Sequence, residues 1–237
     1  MTDGTVAGMW VRATRAALEP LASSPDAAAM RSYMKDIAPF LGVKSTPRRQ
    51  AQRAAWAELP RLSPREVASV AESLWAQPER EFQYAACDLL ARHARQLSGD
   101  FVVDPTEAFL QDRPWWDTVD ALGNAVITPL VDRHPDQVGT MWRWWASGDR
   151  WLIRAAIGHQ RGLGPGTDLD RLFTMCDRYA DEREFFIAKA IGWALRDVTR
   201  WDADAVQGFV DEHPELSTVA RREAQRGLTR SAGSGGA

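Results

Sequence analysis

Apolar residues along the chain recur at intervals of three and four, the spacing that lines one face of an α-helix. After Ser63-Pro64-Arg65-Glu66 the period runs through Val67, Val70, Leu74 and Trp75, and after Thr46-Pro47 through Ala51, Ala54, Ala55 and Leu59. It continues in Phe82, Ala85, Ala86, Leu89 and Leu90, in Leu169, Leu172, Phe173 and Cys176, and in Ile187, Ala188, Ile191 and Leu195. The starts are marked as well. Ser63 can cap, Pro64 fits a first turn, and Glu66 stands three residues after the cap, which makes a capping box. Thr46-Pro47 predicts a second start of the same kind, and Asp202 predicts a cap ahead of Val206, Phe209 and Val210. Strict alternation is absent; Phe101-Val102-Val103 is the one strand candidate and is too short to build a sheet. The pattern therefore predicts an all-α chain of roughly 12 or 13 helices with short links, packed as antiparallel pairs. A long run of such pairs predicts an α-solenoid, a superhelix of HEAT-like repeats with a period near ~40 residues. Residues 1–230 are expected to form a single repeat domain, followed by a flexible Gly/Ser tail at 231–237.

Composition narrows the class. The chain has 237 residues, 45% of them apolar, and a net charge of −3, which suits a globular fold with a substantial core. No apolar run reaches the ~18 residues needed to cross a bilayer. The opening MTDGTVAGMW carries an acid and lacks a basic segment before an apolar stretch, so no secretory signal is expected. Cys87 and Cys176 are too few for a disulfide framework, and His93, His134, His159 and His213 are scattered. HExxH, CxxC, GxxxxGK[ST] and GxGxxG are all missing, so neither a metal nor a cofactor is expected. A cytoplasmic protein is the expectation.

The net charge hides an uneven distribution. Residues 31–65 carry Arg31, Lys35, Lys44, Arg48, Arg49, Arg53, Arg61 and Arg65 against Asp36 and Glu58, a net of +6. Residues 141–161 carry Arg143, Arg150, Arg154 and Arg161 against Asp149, a net of +3, which leaves −12 for the rest of the chain. A polyanion responds to a local field, so such patches suit nucleic acid, and they equally suit solvated helix faces.

Three aromatic segments carry more specific chemistry. In Pro114-Trp115-Trp116-Asp117-Thr118-Val119-Asp120, Trp116 and Asp120 are four apart and share a helix face. A carboxylate beside an indole suits a developing cation; a core Trp with a surface acid is the other reading. In Trp151-Leu152-Ile153-Arg154 the guanidinium suits a phosphate or a salt bridge. In the segment 185–196, Lys189, Trp193 and Arg196 share one face, opposite Ile187, Ile191 and Leu195. An indole flanked by cations away from the aliphatic stripe suggests a ligand face, or a Trp packed under two snorkelling cations.

In the order PWWDTVD (114–120), WLIRAAIGHQ (151–160) and FFIAKAIGWALRD (185–197), these segments resemble the AlkD-like DNA glycosylases, HEAT-like helical-repeat enzymes for alkylated bases. YMKDIAPFLGVKSTPRRQ (33–50) and EFQYAACDLL (81–90) resemble the family's earlier segments, and the likeness spans roughly residues 10 to 225. It implies a concave basic surface for duplex DNA containing alkylated bases, an all-α superhelix and a monomer acting at the bacterial nucleoid. It implies Trp116 and Trp193 as active-site indoles, Asp120 as the catalytic acid and Arg154 as a DNA contact, with Tyr33 an aromatic near the lesion. Lys44, Arg48, Arg49, Arg143, Arg150 and Lys189 are the further candidates for phosphate contact.

The implied reaction is monofunctional hydrolysis of the N-glycosidic bond of cationic alkylated purines of the 3-methyladenine and 7-methylguanine type, in base excision repair. An oxocarbenium-like sugar would be stabilised by Asp120, which would also position water. The alternative is a catalytically inactive family member that binds damaged or branched DNA.

Overall fold

The computed structural model describes residues 5–234. Every regular element among them is helical: α1 (Val6–Leu18), α2 (Ser24–Tyr33), α3 (Ser45–Ala57), α4 (Pro64–Trp75), α5 (Arg80–His93), α6 (Thr106–Gln111), α7 (Trp116–Leu122), α8 (Thr128–Arg133), α9 (Val138–Trp145), α10 (Arg150–Gly158), α11 (Leu169–Asp177), α12 (Phe185–Val198), α13 (Ala203–Glu212) and α14 (Thr218–Ser234). The strand candidate at 101–103 lies at a 3-10 turn, Gly99–Val102. The helices are slightly more numerous than the periodicity predicts, because a π-helical turn at Gly123–Ile127 separates α7 from α8.

Local signals explain most starts. Ser63 and Glu66 form the expected capping box: the Ser63 N–H donates to Oε2 of Glu66 at 2.8 Å, and the Glu66 N–H donates back to Oγ of Ser63. Asp202 accepts from the Ala205 N–H at 3.0 Å, as a cap should. The start at Thr46-Pro47 falls slightly differently. Helix α3 begins at Ser45, and its N-cap, Lys44, makes no side-chain cap.

The chain folds as two compact units that divide between Val126 and Ile127. The expectation of one uninterrupted domain over 1–230 meets this division inside the π-helical turn, where no Pro- or Ser-rich linker marks it. In the first unit α1 packs on α3 and α4, α4 on α5, and α5 on α7. Its core holds Trp10, Trp56, Val70, Leu74, Trp75, Phe82, Leu89 and Leu90, so the early tryptophans are core residues. Thr14 inside that core accepts from the Trp56 indole N–H at 2.9 Å, which satisfies a buried donor.

In the second unit α10 packs on α9 and α12, and α14 on α12 and α13. Ile187, Ile191 and Leu195 are buried as the stripe predicts. The α12–α14 seam is close because of Gly192: a Cβ there would fall 2.7 Å from Cβ of Glu223 and 2.9 Å from the Ala220 carbonyl. That approach brings Glu223 against the polar face of α12. The tail expected at 231–237 is corrected in part: α14 runs through Ser234, and the Ser231 hydroxyl donates to the Thr199 carbonyl, which ties the last turns down. Residues 235–237 lie outside the described residues.

Candidate nucleic-acid interface and active site

The first unit builds its candidate residues on a buried ionic anchor between α5 and α7. Arg80 is wholly buried at the first turn of α5. Its Nε donates to Oδ2 of Asp117 at 3.1 Å and its Nη2 to Oδ1 at 2.6 Å, a bidentate pair. The remaining donors meet the Arg113 carbonyl at 2.9 Å, Oγ1 of Thr118 at 2.9 Å and Oε1 of Gln83, so a buried guanidinium is fully satisfied. The Tyr84 hydroxyl donates to Asp117 at 2.6 Å; burial, and then the neighbouring carboxylate, raise its pKa and keep it a donor. Just ahead of α7, Arg113 sits at φ +49°, a left-handed conformation that costs a non-glycine residue about 1 kcal/mol. Its donors to the Gln77 and Trp75 carbonyls hold that turn.

This anchor aims α7. Trp116 is half-buried and meets Tyr33 edge-on, with ring centroids 6.4 Å apart and planes at 85°. Tyr33 is 70% exposed. Asp120, one turn beyond Trp116 on α7, is half-buried. Behind Trp116 and Tyr33 opens a cavity of about 630 Å³ that also touches Phe40, Cys87, Arg49 and Asp117. Burial raises the Cys87 thiol to about 12, which makes it an inert wall. One side of this cavity is set by the loop 41–43. Its three successive N–H groups donate to the buried Glu81 carboxylate at 2.9–3.0 Å. Gly42, at φ +87°, is needed there, since a Cβ would fall 2.1 Å from the Ser23 carbonyl oxygen.

The basic segment of this unit separates into surface and interior. Lys44 is 67% exposed, 3.1 Å from Asp26, and Arg49 is 60% exposed, 3.4 Å from Asp88. Arg48 corrects the expectation. Its side chain is 3% exposed and bound to Asp88 at 2.8 Å and Gln52 at 2.9 Å, so it organises Asp88 rather than facing solvent.

The second unit gathers cations around an indole. The half-buried Trp193 ring has Arg154 at 5.0 Å, Arg161 at 5.3 Å, Lys189 at 5.0 Å and Arg196 at 6.0 Å from its centroid, all within cation–π range. Arg154 is buried and donates to the Phe186 carbonyl at 2.7 Å, which fixes it against α12. Lys189 is 18% exposed and sits 2.7 Å from the buried Glu223, which also takes Arg196 and Arg226. The cationic face of α12 is thus present, and both of its cations, Lys189 and Arg196, are turned onto Glu223 of α14. Arg143 is exposed on α9; Arg150 is 51% exposed, 3.5 Å from Glu184.

The candidates thus fall in both units: Tyr33, Lys44, Arg48, Arg49, Trp116 and Asp120 in the first, Arg143, Arg150, Arg154, Lys189 and Trp193 in the second. Sequence reasoning missed Arg80, Glu81, Tyr84, Asp117 and Glu223, the residues that hold the others. A hint existed for two of them. Asp117 adjoins Trp116, and Glu223 is the lone acid in RREAQR. Among the described residues no group of three or more His, Cys, Asp and Glu could hold a metal, and no helix is long and apolar enough to cross a membrane.

Comparison with known proteins gives the fold and these segments a family. Curated proteins return no significant match to the chain. A solved structure described as a predicted DNA alkylation repair enzyme from Enterococcus faecalis superposes with a TM-score of 0.77 at 28% identity, over 86% of this chain and 94% of that one. The family model for the DNA alkylation repair enzymes matches residues 14–228. Spanning nearly every helix described above, that match places the chain in the DNA alkylation repair enzyme family.

Proposed function

We propose that this protein is a monofunctional DNA glycosylase that hydrolyses the N-glycosidic bond of cationic alkylated purines in duplex DNA. The observation that carries the reading is α7. A half-buried carboxylate, Asp120, lies one turn beyond an indole, Trp116, that meets the exposed Tyr33, on a helix fixed by the Arg80–Asp117 pair.

A purine alkylated at N3 or N7 is already a cation and leaves as a neutral base. Bond cleavage then builds positive charge on the sugar, as in glycoside hydrolysis. Asp120 stabilises that charge and orients the water that attacks C1′. Two unit charges ~4 Å apart at an effective dielectric of ~20 attract by about 4 kcal/mol. At ~1.4 kcal/mol per decade that supplies about a thousandfold in rate, enough for an activated leaving group and too little for a normal base. Selectivity then follows from the lability of the lesion. Trp116 in the first unit and Trp193 in the second each have a π-face of the kind that suits a cationic sugar. Arg154, buried beside Trp193, holds that indole in place. Among the candidate cations Lys44, Arg49, Arg143 and Arg150 are exposed and suit backbone phosphates, contacts that position the duplex without reading sequence. Lys189 is occupied by Glu223, and an amine so held does not attack C1′; hydrolysis without lyase chemistry follows.

The test is release of 7-methylguanine or 3-methyladenine from alkylated duplex. Asp120→Asn is expected to lower the single-turnover rate about a thousandfold, with duplex affinity retained and no borohydride-trappable adduct from either protein. Release by the variant at the wild-type rate would remove Asp120 from the mechanism. A wild-type protein that binds alkylated duplex and releases nothing would be a binding protein of the family.

A further inference from the structure

The α12–α14 seam carries more positive charge than the reaction above uses. Glu223, with a side chain 1% exposed, meets Lys189 at 2.7 Å, Arg226 at 2.8 Å, and Arg196. Burial opposes its ionisation, but the Lys189 hydrogen bond and the three cations hold its carboxyl below the usual range. One carboxylate against three cations leaves a surplus. Arg200, 79% exposed, lies 3.3 Å from Asp197, whose other oxygen accepts the Gly162 N–H at 2.7 Å. Arg222 and Arg230 are exposed on α14. Asp197 and Glu223 are the only acids on α12 and α14.

Between the end of α12 and α14 lies an open groove of about 500 Å³, lined by Arg196, Arg200, Arg230 and Trp201 together with Thr199 and Ser231. The two hydroxyls are turned onto carbonyls: Thr199 donates to the Arg196 carbonyl at 2.8 Å and Ser231 to that of Thr199. The groove's lining also carries three guanidiniums and an indole, and no carboxylate is among its described lining. Guanidinium forks match phosphate oxygens in geometry as well as charge. The shape of the charge favours a chain over a single ion. Arg222, Arg226 and Arg230 follow at intervals of four residues, about 6 Å apart along α14, so the row continues beyond the groove. A small anion needs one such fork, whereas a polyanion uses the row.

We propose that this groove is a phosphodiester site, in which Arg200 and Arg230, with Arg196, grip the sugar–phosphate backbone of the duplex away from the sugar that Trp193 faces. Val198, the end of α12, lies five residues beyond Trp193, about 7.5 Å along the helix axis, and Arg200 stands past that end, so the phosphate it takes belongs to a nucleotide removed from the lesion. The proposal rests on the DNA reading above and adds a second hold on the same substrate. The site lengthens the footprint and contributes affinity without base preference.

The experiment measures binding of undamaged duplex by the full chain across a salt series. Arg200→Ala/Arg230→Ala is expected to flatten the dependence of log K on log salt by about 1 to 2, near 0.9 for each phosphate that is no longer neutralised. Arg200→Lys/Arg230→Lys is expected to keep most of the slope, and inorganic phosphate titrated into the wild type to show no saturable binding. Both side chains are exposed, so thermal unfolding of the variants should match the wild type. An unchanged slope in the alanine variant, in a wild type that binds duplex and releases alkylpurine, overturns this site alone. Saturable phosphate binding that the alanine variant loses while its slope is unchanged makes it a small-anion pocket and overturns the backbone assignment. A wild type that binds no duplex removes the DNA reading and this site with it.

Discussion

The two units hold their functional helices by opposite arrangements of charge. Between α5 and α7 one buried cation, Arg80, is surrounded by acceptors: a carboxylate, a carbonyl, an amide and a hydroxyl. Between α12 and α14 one buried anion, Glu223, is surrounded by three cations. The first arrangement is closed. Arg80 is wholly buried and Asp117 nearly so, and the pair leaves no charge over. It fixes the direction of α7, and with it Trp116 and Asp120. The second arrangement is open. The partners of Glu223 are 18%, 33% and 53% exposed, and their charge exceeds the single carboxylate. It joins two helices and at the same time presents a cationic surface. A buried ion pair is not by itself evidence of stability; what each pair does is read from what surrounds it.

The largest effect is expected where the arrangement is closed. Asp117→Ala leaves a fully desolvated guanidinium without its carboxylate and strips the Tyr84 hydroxyl of its acceptor. Removing one partner of a buried pair costs about 3–5 kcal/mol, which should show as a large drop in the denaturation midpoint by urea titration. Loss of less than about 1 kcal/mol would mean that water reaches Arg80, and the contrast between the units would fall.

A titration can sharpen the comparison from the other side. His159, buried in the second unit, has its Nδ1 against the Ala156 carbonyl and its Nε2 3.5 Å from Arg171. Burial lowers its pKa to about 4, and the Arg171 charge adds to this. Its folded value thus lies below the ordinary 6.5, and between the two the unfolded chain binds the extra proton. Its contribution is complete above pH 6.5 and declines as pH falls toward 4, by about 3 kcal/mol over the whole interval. His159→Gln should flatten the acid limb of stability across that window. A wild-type limb and a variant limb of equal slope would show that the imidazole does not titrate with folding.

These anchors also mark where the sequence stops being legible. The helices, the Ser63 capping box and the Asp202 cap were all readable, because each depends on residues three or four apart. Within each unit the helix spacing made one neighbourhood readable: Trp116 and Asp120 lie one turn apart on α7, and Lys189, Trp193 and Arg196 share one face of α12. Arg80 and Asp117 are 37 residues apart, and Lys189 and Glu223 are 34 apart. Nothing local distinguishes such partners from the other charges, so Arg48 read as a surface cation although Asp88 holds it inside. The end of α14 read as a tail for the same reason: Ser231 is held by Thr199, 32 residues earlier.

The smallest expected effect is the one that most directly separates the two arrangements. Glu223→Gln removes the carboxylate charge and keeps the volume beside Gly192 that the seam requires. Were Glu223 equivalent to Asp117, its loss would strand buried cations and cost as much. Its partners can instead turn toward water, and Arg226 already stands half in it. The cost should then be about 1.5–3 kcal/mol, the range for a hydrogen bond to a charged group. Affinity for undamaged duplex should rise rather than fall, since three cations lose their one neutralising partner, and the rise should be strongest at low salt. A destabilisation equal to that of Asp117→Ala, or a loss of duplex affinity with the fold intact, would show that Glu223 aims these cations rather than masking part of their charge.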